Sequence, residues 1–174
     1  MHPPNSELDI ALKGWSKGIL PLDDIRTLAA ELGNHHHVRG APVLVELLSH
    51  EDAIVRYNAA MSLGFELRHK PATSRLLEML SKDADVDARD AAAGALANLG
   101  LNSRDPQSLR ALGEAALNDQ DDGVRRSAYR ALIIVNGVTA EQHLKLLQSD
   151  RGPVDEARVR HILHETAEKI GDPE

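Results

Sequence analysis

The 174-residue chain has no cysteine, which excludes a disulfide framework, a thiolate zinc site, a cysteine nucleophile and thiol redox chemistry. Aromatic residues are almost as scarce. Trp15, Tyr57, Phe65 and Tyr129 are the whole set, too few for the stacking platforms on which single-strand nucleic-acid binders rely. Positive charge is in deficit as well, with 20 Lys and Arg against 27 Asp and Glu for a formal net charge of −7, which disfavours phosphate backbones as the main partner. No apolar run approaches the roughly eighteen residues of a membrane span. The start, Met1-His2-Pro3-Pro4-Asn5-Ser6, shows no basic stretch followed by an apolar core, and no lipidation pattern is present. The expectation is a soluble, cytoplasmic protein with no cofactor, no metal and neither a nucleic-acid nor a membrane partner.

What is present is 42% hydrophobic and 27% charged residues, enough for one globular domain or one short repeat array. The chain repeats itself. Asp52, Val55, Arg56, Ala59 and Leu63 recur as Asp85, Ala88, Arg89, Ala92 and Leu96, each shifted by 33, and again as Asp121, Val124, Arg125, Ala128 and Leu132, each shifted by a further 36. Ala60 also recurs, as Ala93. A period in this range means stacked supersecondary units. An amphipathic stretch precedes each copy: Val43 to Leu48, Leu76 to Leu80 and Leu109 to Leu117. Each unit is therefore helix, turn, helix. Pro42, Pro71 and Pro106 fall at or near first turns, where a missing amide hydrogen costs nothing, and Asp105 precedes Pro106 as a cap. Thr139 with Gln142 forms a capping-box pattern that opens a fourth pair through Leu144, Leu146 and Leu147.

The repeated letters have physical roles. The Asp caps the second helix of its unit. The Arg four residues later reaches the Asp of its own or an adjacent unit, so that Asp52, Arg56, Asp85, Arg89, Asp121 and Arg125 form a ladder. Ala59, Ala92 and Ala128 allow successive second helices to approach closely, while Leu63, Leu96 and Leu132 fill the space between layers.

Asp52-Ala53-Ile54-Val55-Arg56-Tyr57-Asn58-Ala59-Ala60-Met61-Ser62-Leu63-Gly64 and its counterparts from Asp85 and Asp121 resemble the HEAT repeat family, in particular the short bacterial HEAT-like repeats of phycobilisome lyase subunits. The resemblance covers residues 38 to 137 well and implies an all-α fold. It implies an α-solenoid, or superhelix, of about four to five stacked HEAT-like repeats in a single domain, 1–174. Within it, 7–37 are N-terminal capping helices, 38–69, 70–102 and 103–138 are full repeats, and 139–170 form a C-terminal capping repeat. Solenoid ends need such polar caps. At the amino end, Leu22 to Leu32 forms a helix with Ile25, Leu28, Ala29 and Leu32 on one face, stopped by Gly33-Asn34, and Trp15 anchors this end. At the other end, Asp150-Arg151-Gly152-Pro153-Val154-Asp155-Glu156 is longer than its counterparts. Arg158 and Arg160 both fit the repeated arginine there, with His161 or Leu163 in the small-residue position. Gly171-Asp172-Pro173-Glu174 reads as a helix stop and tail.

Two histidine groups could bear chemistry. His35-His36-His37 points in three directions on a helix and reads as an exposed connection. His161 and His164 share a helix face with Glu165 and Glu168, but no HExxH pattern accompanies them, which favours polar capping. Deoxyhypusine hydroxylases, the di-iron enzymes of the HEAT-like group, repeat His-Glu pairs at equivalent positions, whereas His50-Glu51 and His164-Glu165 are not equivalent. DNA glycosylases built from such helices are basic and aromatic-rich, and this chain is neither. No convergent nucleophile, base and orienter is visible, so an enzyme is not expected.

The remaining candidate is a surface. Second helices lining a concave face present Tyr57, Met61 and Arg68, then Asp90, Gly94 and Asn98, then Arg126, Arg130 and Ile134. Tyr, Met and Arg are enriched at interface hot spots. Arg125, Arg126 and Arg130 concentrate positive charge on one helix and favour an acidic peptide or protein there. The expected function is a non-catalytic scaffold or adaptor that binds a protein or peptide on the concave face. The alternatives are an accessory subunit of a bilin-lyase-like enzyme complex and, behind it, a metal-dependent enzyme. Oligomeric state stays open.

Overall fold

The computed structural model describes residues 5–148 and 152–170. The expectations for Met1 to Pro4, Asp150, Arg151, the Leu147 side chain and Gly171 to Glu174 lie outside the described residues. Ten α-helices and no strand occur among the described residues: α1 (Asn5–Ser16), α2 (Leu22–Asn34), α3 (Ala41–Leu47), α4 (Ala53–Met61), α5 (Thr73–Lys82), α6 (Val86–Leu99), α7 (Pro106–Asn118), α8 (Asp122–Asn136), α9 (Ala140–Gln148) and α10 (Glu156–Ile170). The chain folds as an all-helical α-solenoid.

Capping explains where the second helices begin. Asp52, Asp85 and Asp121 hold extended backbone and accept from the amides of Val55, Ala88 and Val124 at 3.0, 2.9 and 3.0 Å. Each such cap contributes about 1 kcal/mol. Asp105 does the same for the Ser108 amide at 2.8 Å, with Pro106 in the first turn of α7. Thr139 and Gln142 close a reciprocal box, at 2.9 and 3.2 Å.

Packing follows the repeated small and large residues. The second helices stack in the order α2, α4, α6, α8, and α3, α5 and α7 pack as the other layer. Ala59, Ala92, Ala128, Leu63 and Leu132 are fully buried and Leu96 nearly so. Glycine sets two of the closest approaches. A Cβ on Gly33 would lie 2.6 Å from the Cβ of Ser62, and one on Gly64 would lie 2.6 Å from the Cα of Ala95. Gly33 is thus a packing residue inside α2, and the helix is ended by His36 in left-handed backbone at φ 48°. Arg68 and Asn102 take left-handed backbone after α4 and α6. Between Ser62 and Glu66 the chain makes a π-helical turn, closed by the Leu67 amide on the Ser62 carbonyl at 2.9 Å.

The carboxyl end departs from the expected order. α10, not α9, packs against α7, and Leu163 covers Gly113 so closely that a Cβ there would lie 2.6 Å from its Cδ2. Val159 and Ile162 are buried on the same face. Asp155 caps α10 through the Arg158 amide at 3.0 Å, and the residue four beyond it is Val159. Neither Arg158 nor Arg160 therefore takes the repeated arginine's place; Arg160 pairs with Glu156 at 3.2 Å. At the amino end Trp15 donates to Glu46 at 3.4 Å and tilts against His50.

Candidate functional site

An arginine ladder fixes the rotation and spacing of the second helices. Arg56 on α4 donates from Nε and Nη2 to both oxygens of Asp83, each at 2.7 Å. Arg89 on α6 does the same to Asp119, at 2.8 and 3.0 Å. These partners replace the expected Asp85 and Asp121. The third nitrogen, Nη1, wraps back onto its own turn: Arg56 onto the His50 carbonyl at 2.8 Å, Arg89 onto that of Asp83 at 2.9 Å, and Arg125 onto that of Asp119 at 2.8 Å.

The physical reason for the displaced partner is geometric. The residue two positions before the cap stands nearer the arginine of the preceding second helix than the cap itself does. Asp83 and Asp119 each bind the amide of the cap residue, at 2.9 Å, while holding the neighbouring arginine. In the first full unit His50 occupies that place and accepts from the Asp52 amide at 3.0 Å. The arginine of the preceding helix, Arg26, then reaches the cap itself, with Nε 3.0 Å from Asp52. Arg125 ends the series on Asp122 of its own helix, at 2.8 Å.

The carboxylates feel these partners. Hydrogen bonding from Arg26, against burial and with help from the Val55 amide, lowers Asp52 to about 2. Burial pushes Asp83 and Asp119 up, but their arginine and amide donors outweigh it and hold both below the ordinary range.

On the open side of the second-helix layer lies a groove of about 370 Å³. It brings together Tyr57, Met61, Asp90, Gly94, Asn98, Arg130 and Ile134 from three helices. It also gathers Phe65, Leu101, Ser127 and His143, which lie outside the expected set. Arg68 and Arg126 do not line it. The π-helical turn closes α4 at Glu66 and Arg68 follows in left-handed backbone, so the helical face that would have carried Arg68 into the groove has ended. Arg126 pairs with Asp122 along α8.

Phe65 lies 33 residues before Asn98, in the same register as Tyr57 before Asp90 and Met61 before Gly94, whereas Arg68 does not. Phe65 is 40% exposed and Tyr57 37%. Ser127 donates its hydroxyl to Asp90, and Asn98 donates to the Gly64 carbonyl at 2.6 Å. The latter ties the floor of the groove to the π-helical turn.

The histidines disperse. His35 pairs with Glu31 at 3.1 Å, His36 Nδ1 lies 3.1 Å from the Glu66 carbonyl, and His37 Nε2 lies 3.3 Å from Asp9. The segment is only partly the exposed connection expected: His36 is exposed, but His35 is half-buried and His37 is 7% exposed, against Asp9 of α1. His161 and His164 each pair with a glutamate four residues on, at 3.5 Å. Among the described residues no three His, Asp or Glu side chains gather as a metal site, and no helix is long and apolar enough to cross a membrane.

Comparison with known proteins gives the same architecture independently. The family model for HEAT repeats matches residues 23–97 and 73–164, overlapping stretches that run from α2 into α10. No curated protein matches the sequence significantly. Matched over most of its length, with capped helix pairs in register at 33 and 36 residues, the chain belongs to the HEAT repeat family.

Proposed function

We propose that this protein is a non-catalytic cytoplasmic scaffold or adaptor that binds a protein or peptide partner in the groove on the concave side of its second helices. HEAT repeats generally mediate protein–protein interaction, and one observation carries the reading to this site. Tyr57, Met61, Phe65 and Ile134, from two helices 69 residues apart in repeat register, converge on one open groove floored by Ala91, Gly94 and Ala97. Half-exposed aromatic and methionine side chains beside arginine are the composition of an interface hot spot.

The test is affinity capture from the native host's lysate with wild type and with a Tyr57→Ala, Phe65→Ala, Arg130→Ala triple variant of unchanged fold. A partner held by wild type and lost by the variant supports the reading. Equal capture moves binding to another face.

The likeness to phycobilisome-lyase-type repeats supports a second reading, an accessory subunit that handles a bilin. The groove's volume lies in the small-molecule range of about 300–1,000 Å³. A bilin absorbance change on mixing, lost in the same triple variant, separates this reading from the first.

A further inference from the structure

Resting on the groove assignment above, we infer that the groove takes a short acidic peptide segment, with one bulky apolar side chain seated over Gly94 and its carboxylates along α8 at Arg130. The repeat register sets three rows across the second helices: Tyr57 and Asp90, with Arg126 in register but outside the groove; Met61, Gly94 and Arg130; and Phe65, Asn98 and Ile134. Only the middle row lacks a central side chain. The gap is a socket. Met61 and Phe65 form one wall, Ala91 and Ala97 the floor, and Arg130, Ala131 and Ile134 the other wall. Phe65 partly covers it, with Cζ 3.2 Å from where a Gly94 Cβ would stand, so an entering side chain turns the ring edge aside and packs against it. A partner side chain entering there exchanges water for carbon on three sides, which is how interface anchors gain their affinity.

Charge decides the rest of the partner's chemistry. The α4 wall, Tyr57, Met61 and Phe65, is uncharged, and the opposite wall carries Arg130, with His143 of α9 beside it. The acidic side chain in the groove, Asp90, is engaged by the Ser127 hydroxyl and stands in the Tyr57 row, at one end. Arg126, one turn before Arg130 on α8 and outside the groove, sits in a partly exposed pair with Asp122 spaced four residues apart, the kind that exchanges partners at little cost. A carboxylate is complementary to this wall and a basic segment meets like charge. The occupant is a segment and not a compact acidic protein, because the chain as a whole stands at −7. A peptide reaches Arg130 within about one Debye length, ~8 Å at physiological salt, without confronting the remaining surface.

The test is selection from a phage-displayed library of random linear peptides on the intact protein, followed by affinities of the enriched peptides for wild type, Gly94→Leu and Arg130→Glu. The expected consensus is a bulky apolar residue with Asp or Glu within a few positions, and each variant weakens binding by about tenfold or more. Should Gly94→Leu fail to melt like wild type, Gly94→Ala replaces it, since its methyl meets only the movable edge of Phe65. A basic or uncharged consensus that still depends on position 94 overturns the acidic class and leaves the groove reading standing. Enriched peptides indifferent to position 94 and to Arg130, or no enrichment, overturn both.

Discussion

Arg89 holds the carboxylate of Asp119, thirty residues ahead, through two hydrogen bonds of 2.8 and 3.0 Å while its third nitrogen grips the Asp83 carbonyl behind it. One guanidinium thus joins two successive turns, and only arginine's planar fork can make all three contacts. The side chains are 13% and 8% exposed. Removing one partner strands a charge in a poorly solvated place.

Arg89→Ala is therefore expected to cost about 3 kcal/mol, the lower range for breaking a buried pair, measured by urea denaturation. Lys82→Ala, which removes an exposed pair with Glu78 at 3.4 Å, stays within about 0.5 kcal/mol of wild type. Arg89→Lys recovers little, because an ammonium cannot bridge both turns. Equal midpoints for all three variants would remove the ladder from the fold's support.

Close helix approach makes a second stability prediction. Ala92 is fully buried, so Ala92→Leu overpacks the layer and costs about 1–3 kcal/mol. Gly64→Ala behaves similarly, since its methyl would press on the backbone of Ala95. Gly94→Ala, facing the groove, melts close to wild type. Thermal melts of the three variants check the order, and a Gly64→Ala melt unchanged from wild type would contradict the packing.

Acid should dissolve the ladder. A carboxylate whose folded pKa lies below its ordinary value makes the native state bind fewer protons than the unfolded one, so its contribution is complete above the ordinary value and fades as pH falls through the folded one. For Asp52 that window runs from 3.8 down to about 2, and Asp83 and Asp119 shift in the same direction. Stability is expected to be level near neutrality and to decline below about pH 4. Asp119→Asn lowers the neutral plateau and flattens the acid limb; an acid limb as steep as wild type's would assign the loss to other groups.

The turn after α6 offers a fourth test. Asn102 holds left-handed backbone at φ 57° and accepts the Val138 amide at 2.7 Å. Asn102→Ala loses both and is expected to cost about 1–3 kcal/mol. Asn102→Gly restores the backbone alone and falls between the two in chemical denaturation. Identical stability of the Ala and Gly variants would show that backbone strain contributes nothing there.

Several features were legible in the chain because they are local. The caps at Asp52, Asp85, Asp105 and Asp121 and the Thr139–Gln142 box involve residues three apart. The buried alanines and leucines follow helical periodicity. The ladder's partners were legible in principle, since Asp83 and Asp119 also recur at a shift of 36, yet an acidic residue two positions away looks equivalent in a one-dimensional pattern. Arg26 and Ala29 repeat Arg56 and Ala59 at a shift of 30, shorter than the 33 and 36 of the later copies, which hides them from a fixed period.

The amino-acid sequence by itself determined the all-helical class, the period, the capped starts of the second helices and most of the groove's rows. These rest on contacts within a turn or on spacing that stacking preserves. Only the tertiary structure decided which aspartate receives each arginine, that the helical face ends in a π-helical turn before Arg68, that His37 is buried and that α10 takes the place beside α7. Each of those depends on how closely two helices distant in sequence approach and at what rotation, as at Gly64 against Ala95 or Gly113 against Leu163.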